Sequence, residues 1–236
     1  MKKITLHAIL FSVILTSCST EEVTIETEAA ATSGAPMEYL QRGARLPENR
    51  LNPHDNTGLA YYEILDSHFS NSNPGMSTDA MMVSIHNAAM NSAAFQTLPD
   101  FNNAHVDIDA INAISTTSTN LNATISTSQL STSAKVMLQS FVNTLEYNIL
   151  NNTSDDVYNL IIAFEASVAS PTSGLTASDK TAIFTIGSVT RYSNDLLGDD
   201  SPHKWKTMKS EIATVINFSG NLGNAVLNAA AISILE

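Results

Sequence analysis

The sequence predicts an all-α fold, in which a signal peptide and a flexible tether precede a single helical bundle of about six to eight helices. Apolar residues beyond position 58 recur every three or four positions, which is the spacing of one face of a helix. Alternating β-branched residues bounded by Asn-Gly turns, which indicate strands, are essentially absent. Beyond the N-terminal segments roughly 185 residues remain, enough for one domain with a hydrophobic core.

Residues 1–17 have the organisation of a secretory signal peptide. Met1-Lys2-Lys3 is basic, Ile4 to Leu15 is an apolar run, and the small residue Ser17 precedes Cys18, the only cysteine. The run is too short to span a bilayer core of about 30 Å as a helix. Leu15-Thr16-Ser17-Cys18 resembles the lipobox of bacterial lipoproteins, in which signal peptidase II cuts before a lipidated cysteine. The resemblance implies a lipid anchor at Cys18 in the outer membrane; the alternative is an ordinary signal peptide.

The segment 18–50 is expected to be a lipidated cysteine followed by a disordered acidic tether. It contains Glu, Thr, Ala, Gly and Pro with little apolar periodicity. Ser19-Thr20-Glu21-Glu22 resembles the surface-export signal of Bacteroidota lipoproteins, which implies surface display. A plain acidic tether on the periplasmic face is the alternative. The turn-forming run from Asn52 to Thr57 predicts the entry to the folded domain, at 51–236.

Composition and charge exclude some partners. The formal charge is −12, and a chain without residues 1–17 keeps 9 of 11 basic and all 23 acidic residues, which makes −14. Affinity for nucleic acid depends largely on Lys and Arg at the phosphates, so nucleic acid is not expected as a partner. A single cysteine allows no intrachain disulfide, and a hydrophobic core must therefore stabilise the domain.

Three apolar stripes predict the first three helices. The first consists of Leu59, Tyr62, Leu65 and Phe69. The second follows a Ser77-Thr78-Asp79 N-cap and consists of Met81 or Met82, Ile85, Ala89 and Ser92. The third consists of Ile108, Ile111, Ile114, Ser118, Leu121 and Ile125, and it predicts one helix through a Ser/Thr-rich stretch whose composition resembles a linker.

The following three stripes are the most regular in the chain. They are Leu138, Phe141, Val142, Leu145 and Ile149, then Val157, Leu160, Ile161, Phe164 and Val168, then Ala182, Ile186, Val189, Ser193 and Leu196. Thr176-Ala177-Ser178-Asp179 is a cap signal for the third. Two further helices are predicted from Lys204 to Phe218 and from Leu222 to Leu235, where small residues favour close packing.

Two groups of residues resemble a family. Asn52-Pro53-His54-Asp55, Gly58 and Leu65-Asp66 resemble the opening of uncharacterised all-helical lipoproteins of Bacteroidota and related bacteria. The segments 175–180 and 188–193 resemble the late helix of that group. This chain has Tyr61-Tyr62 where the group usually has His-Asn. The resemblance implies an all-helical fold and no established activity, so no catalytic residue is carried over.

The H-x-D-x-D cluster of His105, Asp107 and Asp109 is the first candidate for chemistry. In an extended segment these side chains would project together, and their oxygens would suit a hard cation such as Ca²⁺. The favoured interpretation is that Asp107 caps a helix beginning at Ile108 and Asp109 favours its first turn.

Three other groups are candidates with ordinary alternatives. His86 lies beside an apolar stripe and could be a base or a ligand, although a hydrogen-bonded histidine at the core edge is favoured. Asp199, Asp200 and Trp205 could form a cation or sugar site, although a helix cap with a core tryptophan is favoured. Glu63, Asp66 and His68 lie within one and a half helical turns, and the two carboxylates could act as a pair, although they fall outside the apolar stripe and are expected to face solvent.

These observations together predict a lipid-anchored envelope protein that is a non-enzymatic binding module. Its partners would be the membrane, through lipidated Cys18, and an unidentified protein or small-molecule ligand. No cofactor is expected. The alternatives are an envelope enzyme or cation-binding protein whose site is assembled from distant residues, and a purely structural component. Linear motifs for nucleotide, zinc or serine-hydrolase chemistry are absent from the sequence.

Overall fold

The computed structural model describes residues 46–71, 75–117, 120–199 and 201–235. Within these ranges the chain forms nine α-helices, two 3₁₀ turns and no strands, which confirms the all-α prediction. The α-helices are α1 (Asp55–Asn71), α2 (Thr78–Asn91), α3 (Ile108–Thr117), α4 (Leu121–Thr127), α5 (Thr132–Asn151), α6 (Ser154–Ala169), α7 (Ala177–Leu197), α8 (Lys204–Asn217) and α9 (Leu222–Leu235). The predictions for the signal peptide, for Cys18 and for the tether up to residue 45 lie outside the described residues.

One predicted helix is two helices, which explains why the count exceeds six to eight. The stripe from Ile108 to Ile125 is divided between α3 and α4. Asn120 caps α4, because its side chain accepts a hydrogen bond from the backbone N–H of Ala123. Ser118, which also belongs to the predicted stripe, lies outside the described residues.

The helix N-termini follow the cap signals in the sequence. Ser77 accepts from the backbone N–H of Ala80 at the start of α2, as predicted. Thr176 forms a capping box with Asp179 at the start of α7. Thr153 forms a second capping box with Asp156 at the start of α6. Each capping box satisfies two otherwise unpaired backbone N–H groups, so the beginning of each helix is locally determined.

Helix α7 lies at the centre of the domain. It packs against α1, α6 and α8, and α9 packs in turn against α8 and α1. Fourteen of the 21 residues of α7 are buried, including polar residues from Thr185 to Asn194. A helix that is covered on so many sides must place its polar groups against partners, since an unpaired buried polar group is costly. This requirement explains the polar clusters described below.

The predicted stripes are buried on most helices, but the buried face of α1 differs from the predicted one. Leu65 is buried as expected, whereas Leu59, Tyr62 and Phe69 are only half-buried and Tyr61 is buried instead. Because α1 packs against α7, α9 and α2 together, its buried surface is wider than one stripe.

The folded domain begins earlier than residue 51. Pro47 and Asn49 are buried, although both belong to the segment that the sequence assigns to the tether. Their burial results from contacts with α6 and α7 that lie more than 100 residues away and leave no local signal. Among the described residues, no helix has both the length and the apolarity needed to span a membrane.

Candidate functional site

A buried ion-pair cluster, called the hub below, joins α1, α6 and α7. Arg191 on α7 has a fully buried side chain, and its Nη2 lies 2.5 Å from Oδ1 of Asp55 at the start of α1. The same nitrogen lies 3.2 Å from Oε1 of Glu165 on α6, whose side chain is 1% exposed. Buried charges persist only when they are paired and hydrogen-bonded, so the three side chains depend on one another.

Two asparagines complete the hub from the segment that enters the domain. Nδ2 of Asn49 donates to Oε2 of Glu165 at 2.6 Å. Nδ2 of Asn52 donates to Oε1 of Glu165 at 2.7 Å and to the carbonyl oxygen of Phe184 at 2.9 Å. Arg191 also donates through Nη1 to the carbonyl oxygen of Pro47. The hub therefore fixes the point at which the N-terminal chain joins the domain.

A close contact between α1 and α7 supports the hub. The hydroxyl of Ser188 donates to the carbonyl oxygen of Asp55 at 2.9 Å and accepts from the backbone N–H of Gly58 at 2.9 Å. It therefore satisfies one of the N–H groups that the first turn of a helix leaves unpaired. A Cβ at Gly58 would lie only 2.7 Å from the backbone oxygen of Ser188, so this approach requires glycine.

The contacts within the hub stabilise the charged form of Arg191. Burial by itself lowers the pKa of Arg191, but the charges and hydrogen bonds of Glu165 and Asp55 outweigh it and raise that pKa above its ordinary value. Both oxygens of Glu165 already accept hydrogen bonds from side chains. A general base must instead reach a substrate proton. The arrangement is therefore suited to a structural role. Nε of Arg191 makes no hydrogen bond with any described residue.

Residues from two distant segments of the sequence meet at the hub and at the contact that supports it. Asn52, Asp55 and Gly58 come from the entry to the domain, and Ser188 and Arg191 come from α7. Asn49 and Glu165 are not predicted as site residues from the sequence. The available signal was weak: Glu165 is a lone acidic residue that directly follows a stripe position in α6.

A second buried polar cluster joins α1, α8 and α9. The phenol of Tyr61 donates to Oε1 of Glu211 at 2.5 Å, and the hydroxyl of Ser233 donates to the same oxygen at 2.5 Å. Burial, followed by the charge and the hydrogen bond of Glu211, raises the pKa of Tyr61 well above its ordinary value. Tyr61 therefore remains a protonated donor, and this cluster ties the last helix to the first.

The H-x-D-x-D residues form a helix start. Oδ1 of Asp107 accepts from the backbone N–H of Ala110 at 3.0 Å, which confirms the capping interpretation. His105 and Asp109 are exposed, and Asp109 lies in the first turn of α3. In the part of the chain that the structure describes, no group of three or more His, Cys, Asp or Glu side chains is arranged to hold a metal ion.

The other candidate residues are dispersed. His86 is exposed on α2, so the expected position at the core edge is wrong; α2 buries only the face with Ile85 and Ala89. The N-cap of α8 is His203, which makes no side-chain capping bond, and Oδ1 of Asp199 accepts from the backbone N–H of Ser154 in α6 at 2.5 Å. Trp205 packs partly buried against the core, as favoured. Asp200 lies outside the described residues.

Glu63 was expected to face solvent, but its carboxylate accepts two hydrogen bonds from the protein. Its Oε2 accepts from the hydroxyl of Ser92 at 2.6 Å and from the backbone N–H of Ala94 at 3.2 Å. Glu63 therefore stabilises the turn after α2. Asp66 remains half-buried on α1.

Helix α5 presents the clearest open surface. It exposes Val136, Tyr147 and Leu150, which are 63%, 64% and 66% accessible. Beside them a groove of about 700 Å³ runs between α5 and α6. Its floor contains Phe141 and Phe164, whose rings stack with centroids 3.8 Å apart. Its remaining lining consists of hydroxyl-bearing and apolar residues, and it includes no charged side chain.

No protein-family model, no curated protein and no solved structure matches this chain.

Proposed function

We propose that this chain is a lipid-anchored protein of the cell envelope that acts as a non-enzymatic binding module. The observation that carries the proposal is the open apolar surface of α5 and its groove, in a domain whose buried carboxylates at Glu165 and Glu211 already accept hydrogen bonds. Uncharged apolar surface that is left open on a folded domain is typical of protein interaction sites.

The anchor would hold this surface near the membrane. A cysteine with two or more acyl chains anchors stably, since each buried CH₂ contributes about 0.8 kcal/mol and one chain holds only marginally. The hub supports this role, because it fastens Pro47, Asn49 and Asn52 to the domain core at the end of the chain that leads back to Cys18. A flexible tether would confine the domain to a thin layer and raise its effective concentration for partners there.

Two experiments test the two halves of the proposal. For the anchor, the full-length chain and its Cys18→Ser variant are fractionated with a high-salt wash of the membranes. We expect wild type in the membrane pellet and the variant in the supernatant; a variant that stays in the pellet would contradict lipid anchoring.

For the binding surface, a photo-activatable residue is placed at Ser140 in the groove lining, and a matched one replaces Val83, an exposed residue on α2. We expect a covalent protein adduct in intact cells from position 140 and none from position 83. Equal labelling at both positions, or labelling at neither, would remove the support for α5 as the binding surface.

A further inference from the structure

The outward face of α5 has the spacing of a coiled-coil seam. Steps of three and four residues separate six of the ten exposed residues of α5, which are Ser133, Val136, Ser140, Asn143, Tyr147 and Leu150. Such steps average 3.5 residues, the period of a and d positions in helices that pack side by side. On the opposite face of the same helix, Leu138 and Leu145 are buried in the core.

No described element covers this seam. The described contacts of α5 are with α4, α6, α7 and α8, and the seam residues remain exposed beside them. The seam contains three of the five large apolar side chains that are exposed in the described part of the chain. The two others, Leu51 and Val83, lie on separate elements and are not accompanied by such a pattern.

We propose that the seam binds a second copy of this chain, with the two α5 helices packed antiparallel. This inference rests on the proposed binding role of the α5 surface and names its partner. In an antiparallel pair, a positions of one helix face d positions of the other. Val136 of one copy then faces Tyr147 of the other, Ser133 faces Leu150, and Ser140 faces Asn143. A two-fold axis repeats every contact, as in most homodimers.

The side chains suit this register. The layers with Val136, Tyr147 and Leu150 bury the large apolar groups, which supplies the association energy. The central layers pair Ser140 with Asn143, and polar residues at single seam positions specify register. The groove beside Val136 accepts the aromatic ring of the second copy's Tyr147, because its floor is aromatic and its lining includes the hydroxyls of Ser140 and Thr144.

Charge favours a second copy over a basic partner. The chain has a formal charge of −12, but α5 contains only two charged residues, Lys135 and Glu146, and they have opposite signs. Two α5 helices can therefore approach each other without net charge repulsion, whereas two acidic surfaces of this protein would repel each other. The antiparallel arrangement also brings Lys135 of one copy to the same end of the pair as Glu146 of the other.

The first test measures self-association of the full-length chain in detergent by analytical ultracentrifugation. We expect a dimer, and we expect Val136→Asp and Tyr147→Asp each to raise its Kd at least about tenfold, as for central interface residues. The matched control is Val83→Asp, because Val83 is 61% exposed on α2 and Val136 is 63% exposed on α5. We expect the control to leave the Kd unchanged. A monomer up to about 0.1 mM, or a dimer insensitive to both seam variants, would overturn the proposal.

The second test determines orientation with cysteines introduced into the Cys18→Ser chain, which contains no other cysteine. We expect a mixture of Val136→Cys and Tyr147→Cys chains to form a disulfide between the two, and either chain alone to form far less. Efficient cross-linking of Val136→Cys to itself would indicate a parallel pair and would overturn the antiparallel proposal. A photo-adduct with a different protein, together with a monomeric chain, would overturn the second copy as partner while leaving α5 as a binding surface.

Discussion

The guanidinium of Arg191 and the carboxylate of Asp55 form a partly buried ion pair across 136 residues of sequence, with Nη2 2.5 Å from Oδ1. The pair joins the central helix to the first helix, and Glu165 adds the sixth helix through the same nitrogen. Removal of any one of these three charges would leave another charge without its partner in the interior, which would destabilise the domain.

Arg191→Met is expected to destabilise the domain by about 3–5 kcal/mol, because it leaves Glu165 as a buried charge with only amide donors. The matched control is Arg50→Met, since Arg50 is exposed, and its effect should stay within about 0.5 kcal/mol. Urea denaturation monitored by circular dichroism gives both values. Similar midpoints for the two variants would show that the hub does not stabilise the fold.

Gly58→Ala tests the close approach of α1 to α7. Alanine normally stabilises a helix interior relative to glycine, by about 0.5–1 kcal/mol. Here the new Cβ would lie 2.7 Å from the backbone oxygen of Ser188, and a backbone atom cannot relieve such a clash by changing rotamer. We therefore expect destabilisation by about 1–3 kcal/mol, as in an overpacked core.

The control for that change is Gly220→Ala. Outside residues 219–221, no atom lies within 4 Å of the position that the Cβ at residue 220 would occupy, so stability should be unaffected. Thermal unfolding of both variants decides the matter. A stabilised Gly58→Ala variant would mean that α1 and α7 are farther apart than described.

Local signals in the sequence predicted most of the helices but not the hub. The stripe from Leu138 to Leu145 and the capping box of Thr176 with Asp179 depend only on residues within one or two turns, and both are observed. The contact of Asn49 with Glu165 spans 116 residues and depends on how α6 packs against α7, which no local pattern encodes.

The errors have the same physical origin. Tyr61 is buried because three helices surround α1, and His86 is exposed because α2 is covered on one face only. Burial that is set by neighbouring helices cannot be deduced from the spacing within one helix. Asn52, Asp55 and Arg191 lay in segments that were noted only for a family resemblance, and none of the three was predicted as a site residue.

Asp179 links the starts of two helices, and its removal should cost more than the loss of an ordinary cap. Its Oδ2 accepts from the backbone N–H and the hydroxyl of Thr176, while its Oδ1 accepts from the backbone N–H of Ser131 at 2.9 Å. Asp179→Ala should therefore destabilise the domain by more than Asp156→Ala, which removes an exposed capping box worth about 1 kcal/mol. Equal effects in urea denaturation would show that the link to Ser131 contributes nothing.

The same carboxylate predicts a pH dependence. Burial by itself raises the pKa of Asp179, but the hydrogen bonds from Ser131 and Thr176 outweigh it and lower the pKa below the ordinary value of 3.8. A group whose folded pKa is depressed stabilises the fold above the unfolded pKa and loses that contribution as the pH falls through the folded pKa. The difference in unfolding free energy between wild type and Asp179→Ala should thus be full at neutral pH and shrink below 3.8.

His68 should make the domain less stable in mild acid. The residue is 3% exposed, its Nδ1 lies 3.1 Å from the hydroxyl of Ser84, and burial lowers its pKa below the ordinary 6.5. Because the unfolded chain then binds a proton more readily than the folded one, stability falls as the pH drops below 6.5 toward the folded pKa. His68→Gln should weaken this fall, whereas His86→Gln, at an exposed position on α2, should leave it intact. Unfolding free energies of the three proteins at neutral pH and near pH 5 provide the comparison, and parallel curves for wild type and His68→Gln would rule out protonation of His68 as a cause of acid destabilisation.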